Sequence, residues 1–170
     1  MSVLIAIATA HNTTTDIAHR VAARLRTHVT GPVDVLNISD IPADTLPQYK
    51  AVVIGSAIHA GSWLSPARKF IQKEQKVLSG RPVWAYSVGV PGNEKYKEDE
   101  RVKIEKEVRK CVPALKGHVL FEGRVERDHL PWPVNKIFSL FPNVWRFGDF
   151  VQWDLVEGWA DEVGQAMEGL

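Results

Sequence analysis

Val3-Leu4-Ile5-Ala6-Ile7-Ala8 runs directly into Thr9-Ala10-His11-Asn12-Thr13-Thr14-Thr15-Asp16, and then Ile17, Val21 and Leu25 follow at intervals of four. The first run is short, unbroken and apolar, as in a strand buried on both faces of a parallel sheet. The last three residues, with Ala18 and Ala22 beside them, trace the apolar stripe of a helix. A buried strand that turns straight into an amphipathic helix is the unit from which wound α/β folds are built.

The alternation continues along the chain. Val33 to Ile38 reads as a second strand and Ala51 to Gly55 as a third. Ser65 to Leu78 reads as a helix with Phe70 and Ile71 inward, ended by Gly80 and Pro82. Val83 to Val88 is a fourth strand. Glu98 to Leu115 is expected to be a helix with Val102, Ile104, Val108 and Val112 inward, stopped by Gly117. Val119-Leu120-Phe121 begins a fifth strand, and Asp154 is expected to N-cap a last helix with Val156, Trp159, Ala160, Val163 and Met167 inward. Strands and helices in this order predict one α/β domain over residues 1–170, a doubly wound five-stranded parallel sheet with right-handed crossovers and strand order 2-1-3-4-5. An aromatic insertion at about 127–150 separates the fifth strand from the last helix, and connections that long are commonly functional.

Composition narrows the function classes. The 170 residues are 45% hydrophobic and 24% charged with a formal net charge of +1, so bulk charge gives no reason to expect nucleic acid. Cys111 is the only cysteine, which rules out an intrachain disulfide and makes a reducing cytoplasm the default expectation. No apolar run approaches the roughly 20 residues of a membrane span. The six histidines show no spacing of a metal site, so no metal is expected.

In an open α/β sheet ligands bind beyond the carboxyl ends of the strands where the order reverses, here the loops after strands one, three and four. Thr9, His11, Asn12, Thr13 and Thr14 lie in the first loop. Hydroxyls and free N–H groups at a helix start make a phosphate cradle, and without the Walker glycines and lysine this one suits a terminal phosphomonoester. An N-cap with spare threonines is the competing reading, and Asp16 places a negative charge near the proposed phosphate. The second loop holds Ala57, Ile58, His59, Ala60, Gly61 and Trp63, small residues that admit a planar ligand, with His59 and Trp63 placed to lie against it. The third, Ser87-Val88-Gly89-Val90-Pro91-Gly92, is a tight turn that offers backbone N–H groups to a ring edge.

These residues resemble the flavodoxin superfamily. Its first loop, T-x-x-G-x-T-x-x-I-A, is similar to Thr9 through Ala18 with Asn12 at the glycine, a position where asparagine tolerates the left-handed conformation. Ala51 to Trp63 is similar to the family's third strand and following loop. Phe121-Glu122-Gly123-Arg124, then the insertion, then Gly148-Asp149-Phe150-Val151-Gln152-Trp153-Asp154 resembles the branch containing the menaquinone-dependent protoporphyrinogen oxidases. The resemblance implies a flavodoxin-like fold, non-covalent FMN, and oxidation of protoporphyrinogen IX with a quinone as acceptor, a step before haem. A general electron carrier or FMN quinone reductase is the alternative, and a binding domain that has lost FMN is the second. The flavin would carry the redox step, so no catalytic side chain is nominated. Trp132, Ile137, Phe138, Phe141 and Trp145 of the insertion, flanked by Lys136 and Arg146, are expected to meet the inner face of the membrane peripherally, or else the chain's own core or a homodimer mate.

Overall fold

Every residue of β1 (Val3–Ala8) is buried, as a strand covered on both faces requires. Alternate side chains go to opposite faces. Val3, Ile5 and Ile7 enter one hydrophobic core, and Leu4, Ala6 and Ala8 enter the other. A computed structural model describes residues 1–125 and 147–170. In it β1 is the second strand of a sheet whose other members are β2 (Val33–Asn37), β3 (Ala51–His59), β4 (Ser62–Trp63), β5 (Val83–Gly89) and β6 (Leu115–Glu122). The parallel strands run in the order β2-β1-β3-β5-β6, and β4 folds back antiparallel on the end of β3. Counted along the parallel strands alone, this is the order 2-1-3-4-5.

Helices α1 (Thr13–His28) and α5 (Trp153–Glu168) cover one face. Helices α2 (Ser65–Lys73), α3 (Gln75–Leu78) and α4 (Glu94–Cys111) cover the other. The stripe Ile17, Val21, Leu25 of α1 is fully buried and faces Val156, Ala160, Val163 and Met167 of α5 across one core.

Several boundaries differ from the sequence expectation for local reasons. Asn93 starts α4 four residues earlier than expected, because its side chain accepts the Tyr96 N–H at 2.8 Å and so caps the first turn. The same helix ends at Cys111, short of Leu115, since Pro113 disfavours helical geometry just before it. Gly117 therefore lies inside β6, which begins at Leu115 rather than Val119. Val102 is 48% exposed, whereas Glu100 is buried. The i, i+4 series through Ile104 and Val108 passes through Glu100 and leaves Val102 off the inner face. The helix expected over 65–78 breaks at Glu74 into α2 and α3. Asp154 lies inside the first turn of α5, where its charge suits the helix dipole, and Gln152 holds the cap position. β2 stops at Asn37, and Ile38–Asp40 form a 3-10 turn.

The two ends of the insertion are fixed side by side. β7 (Arg124–Val125) and β8 (Gly148–Asp149) pair antiparallel, Arg124 opposite Asp149. Trp132, Ile137, Phe138, Phe141 and Trp145, the expected membrane contacts, lie outside the described residues.

Candidate functional site

At the carboxyl end of the sheet the loops after β1, β3, β5 and β6 enclose a cavity of about 480 Å³, within the size range of small-molecule sites. Ala10, His11, Thr13 and Thr14 form its first wall. Ala57, Ile58, His59 and Leu64 form the second, and Val88, Gly89 and Val90 the third. Gly123, Arg124 and Val125 complete it.

The first wall is built where β1 stops at Ala8 and a four-residue loop, Thr9 to Asn12, leads into α1. Asn12 makes the turn with φ 61°, in the left-handed region that asparagine tolerates, and its side chain makes no cap bond. Within the first turn the Thr13 N–H goes to the His11 carbonyl (2.8 Å) and the Asp16 N–H to that of Asn12 (2.9 Å). Among the described residues, the N–H groups of Thr14 and Thr15 have no backbone acceptor, as expected of a helix start. Thr9 Oγ1, at the root of the loop, is buried with no hydrogen-bond partner. A helix N-terminus with open donors and an orphaned hydroxyl suits an anion such as a phosphomonoester. The charge of Asp16 is offset by Arg124, whose Nη1 is 3.4 Å from Asp16 Oδ2, while Nη2 lies 3.1 Å from Asp149 Oδ2.

The second wall is a hairpin rather than a loose loop. Ala60 (φ 51°) and Gly61 (φ 69°) are both left-handed, the pattern of the two-residue turn that matches strand twist. Pairing of Ile58 with Trp63 and His59 with Ser62 carries Ala57, Ile58 and His59 out to the cavity. Lys103 Nζ donates to the Gly61 carbonyl at 2.8 Å and ties the turn to α4. The turn residues Ala60 and Gly61 stand outside the cavity wall.

Trp63 does not face the cavity, contrary to its expected place against a ring. It is 3% exposed, and its Nε1–H donates to Ser87 Oγ at 2.7 Å. Ser87, also expected at the ligand, is fully buried, and its hydroxyl is hydrogen-bonded to His118 Nε2 at 2.8 Å. Alternation along β5 turns Val88 to the cavity in place of Ser87, and Leu64, between β4 and α2, lines it in place of Trp63. Burial pushes the His118 imidazole down to about 4, so it is neutral at neutral pH.

In the third wall Gly89 is pressed between Ile58 Cδ1 and Glu100 Oε2, leaving little room for a side chain there. Pro91 and Gly92 lie past the cavity, and Gly92 is seated under the Tyr96 ring. The fourth wall is the part that sequence reasoning did not assign to the site. Gly123 donates its N–H to the Gly89 carbonyl at 2.8 Å and brings β7 beside β5. The available signal was position, since Phe121-Glu122-Gly123-Arg124 ends the strand next to β5.

A second hollow of about 430 Å³ lies between residues 38–47 and α2. Prolines, Phe70 and Val77 line it beside Lys69 and Lys73, and no orphaned polar side chain opens into it. Among the described residues no cluster of side chains could hold a metal ion, and no helix is long and apolar enough to cross a membrane.

The family described as Flavodoxin domain matches residues 4–140 of the chain. No curated protein sequence matches it. Among solved structures the chain is similar to a flavodoxin from the domain Archaea, at 12% identity and a TM-score of 0.65 over 99% of both chains. A Fusobacterium nucleatum flavodoxin bound to flavin mononucleotide is similar at 12% identity and a TM-score of 0.59, over 99% of this chain and 97% of that one. The rubredoxin oxygen:oxidoreductase of Desulfovibrio gigas matches 99% of this chain with 36% of its own, at 13% identity and a TM-score of 0.62. At such identities the likeness shows a shared fold, the doubly wound sheet read from the sequence.

Proposed function

The chain belongs to the flavodoxin-domain family, and from that premise we propose that it binds FMN in the cavity at the carboxyl end of the sheet and serves in electron transfer. One observation carries the reading: Thr13 and Thr14, at a helix start whose Thr14 and Thr15 N–H groups are open, line one end of a cavity whose remaining walls are mostly apolar, and the orphaned Thr9 Oγ1 lies just behind that lining in the same loop. The threonines would hold the phosphate. Ile58 and His59 on one side and Val88, Gly89 and Val90 on the other would hold the ring and exclude water. When bound, FMN supplies reversible uptake and release of electrons. The test is the visible absorption spectrum after incubation with FMN and desalting. Retained, structured flavin bands are expected. A colourless protein would leave a binding domain without a flavin.

The finer reading is oxidation of protoporphyrinogen IX, with its electrons and protons ending on a quinone as quinol. The two stretches that resemble the oxidase branch support it, because β7 lines the cavity and β8 pairs with it, the two clasped by Arg124 and Asp149. A bulky donor would approach at that rim. Flavin-loaded protein should be reduced by protoporphyrinogen IX under anaerobic conditions. Reduction by NAD(P)H with quinone turnover, and none by porphyrinogen, would instead make it a general quinone reductase or carrier.

A further inference from the structure

Tyr86 is the largest fully buried side chain among the described residues, yet its hydroxyl reaches across the sheet. Tyr86 belongs to β5, and its Oη donates to the backbone carbonyl of Thr14, in the first turn of α1, at 2.9 Å. The strand between them makes this possible. Gly55 of β3 is in register with Tyr86 on one side and Ile7 of β1 on the other. A Cβ on Gly55 would overlap the tyrosine ring at Cζ and Oη, so the missing side chain is the gap through which the phenol passes. Phe121 and Trp159 hold the ring from β6 and α5, each with its centroid 6.0 Å away.

We propose that Tyr86 is a positioning residue for an anion at the start of α1, orienting the peptide unit that presents the Thr15 N–H. The Thr14 carbonyl and the Thr15 N–H belong to one planar peptide and point in opposite directions. Fixing the carbonyl toward Tyr86 fixes the N–H the opposite way, out of the open N-terminus of α1 whose residues Thr13 and Thr14 line the cavity. Donation into the carbonyl also polarises the peptide and strengthens its N–H as a donor. Complete burial pushes the phenol far up its scale, so the tie stays protonated and neutral. That the anion is the FMN phosphate rests on the proposed function; the tie itself does not.

The experiment compares Y86F with the wild type, because phenylalanine keeps the ring and its packing and removes only the hydroxyl. FMN affinity should fall about three- to tenfold, the effect of one hydrogen bond. Affinity for riboflavin, which lacks the phosphate, should stay within about twofold. Equal losses for both ligands, or no loss for either, would overturn the inference. A wild type that takes up no flavin would overturn the proposed function alone. The tie is then read in ligand-free protein, where the Thr15 amide resonance should move on titration with inorganic phosphate and move less in Y86F. Were Y86F not to fold, the wild-type Tyr86 hydroxyl proton gives the answer by NMR. A protected resonance that shifts with phosphate supports the inference, and one that is absent or unmoved overturns it.

Discussion

Two histidines lie in opposite layers of the molecule and keep different company. His118 sits behind the cavity, joined through Ser87 to Trp63 in a row of neutral groups, at 2.8 and 2.7 Å. Its Nδ1 lies by the Arg101 backbone but makes no hydrogen bond of good geometry. His28 ends α1 in a charged seam against α5, with Nδ1 2.7 Å from Glu168 Oε1 and Nε2 3.2 Å from Asp161 Oδ1. Arg24 grips the same Asp161 with two nitrogens, at 2.8 and 2.5 Å, and Arg20 meets Glu157 at 2.9 Å. Both layers fasten secondary structure around the sheet. The first does so where water cannot replace a lost partner, and the second where it can. Breakage should therefore cost far more in the buried row, and pH should act on the two layers with opposite sign.

Ser87→Ala is the strongest test, since it strips a partner from two buried groups at once, the Trp63 N–H and His118 Nε2. Each orphaned group costs about 1–3 kcal/mol, so a total of about 2–6 kcal/mol is expected in urea denaturation. A loss below about 0.5 kcal/mol, the size of an ordinary surface change, would mean that water reaches the row. The pH dependence of His118 follows in size. Its folded value lies near 4, below the roughly 6.5 of an exposed imidazole. The stability it confers is present above about 6.5 and is lost as pH falls toward 4, on the order of 3 kcal/mol in all. H118Q should flatten that acid limb.

The same contrast between layers decides what could be read from the sequence. The buried strands announced themselves, because Val3–Ala8 and Ala51–Ile54 have no solvent face and so no polar residue. Strand order followed from alternation with helices, and the cavity from the rule for reversed order. The loop after β1 was legible because its chemistry is local. Ala57, Ile58 and His59 were legible as site residues, but the hairpin that carries them was not, because it turns on left-handed Ala60 and alanine gives no sign of that conformation. Trp63 and Ser87 were assigned to the ligand because proximity in sequence says nothing about which face of a strand a side chain takes. Hydrophobicity alone points Val102 inward, whereas the i, i+4 series through Ile104 and Val108 puts Glu100 there instead. Arg124 could not be tied to Asp16 at all, since the pair spans 108 residues and exists through the fold.

The seam should give the smallest effects, and of opposite sign. Hydrogen bonding to Glu168 first, and then to Asp161, raises the His28 imidazole above its ordinary range. The stability it adds is fully present below about 6.5 and is lost as pH rises through the folded value. H28Q should therefore lose stability relative to the wild type in mild acid and match it at higher pH, as read from melting temperatures across that window. Asp161→Asn goes further, because it weakens the partner of both Arg24 and His28. The seam is only partly covered, with the Arg24 side chain 40% and that of Asp161 26% exposed, so salt should erase much of the difference. The expected result is a small fall in melting temperature at low ionic strength that shrinks when salt is added. A salt-independent loss as large as that of Ser87→Ala would show that water does not screen the seam, and the distinction between the two layers would fail.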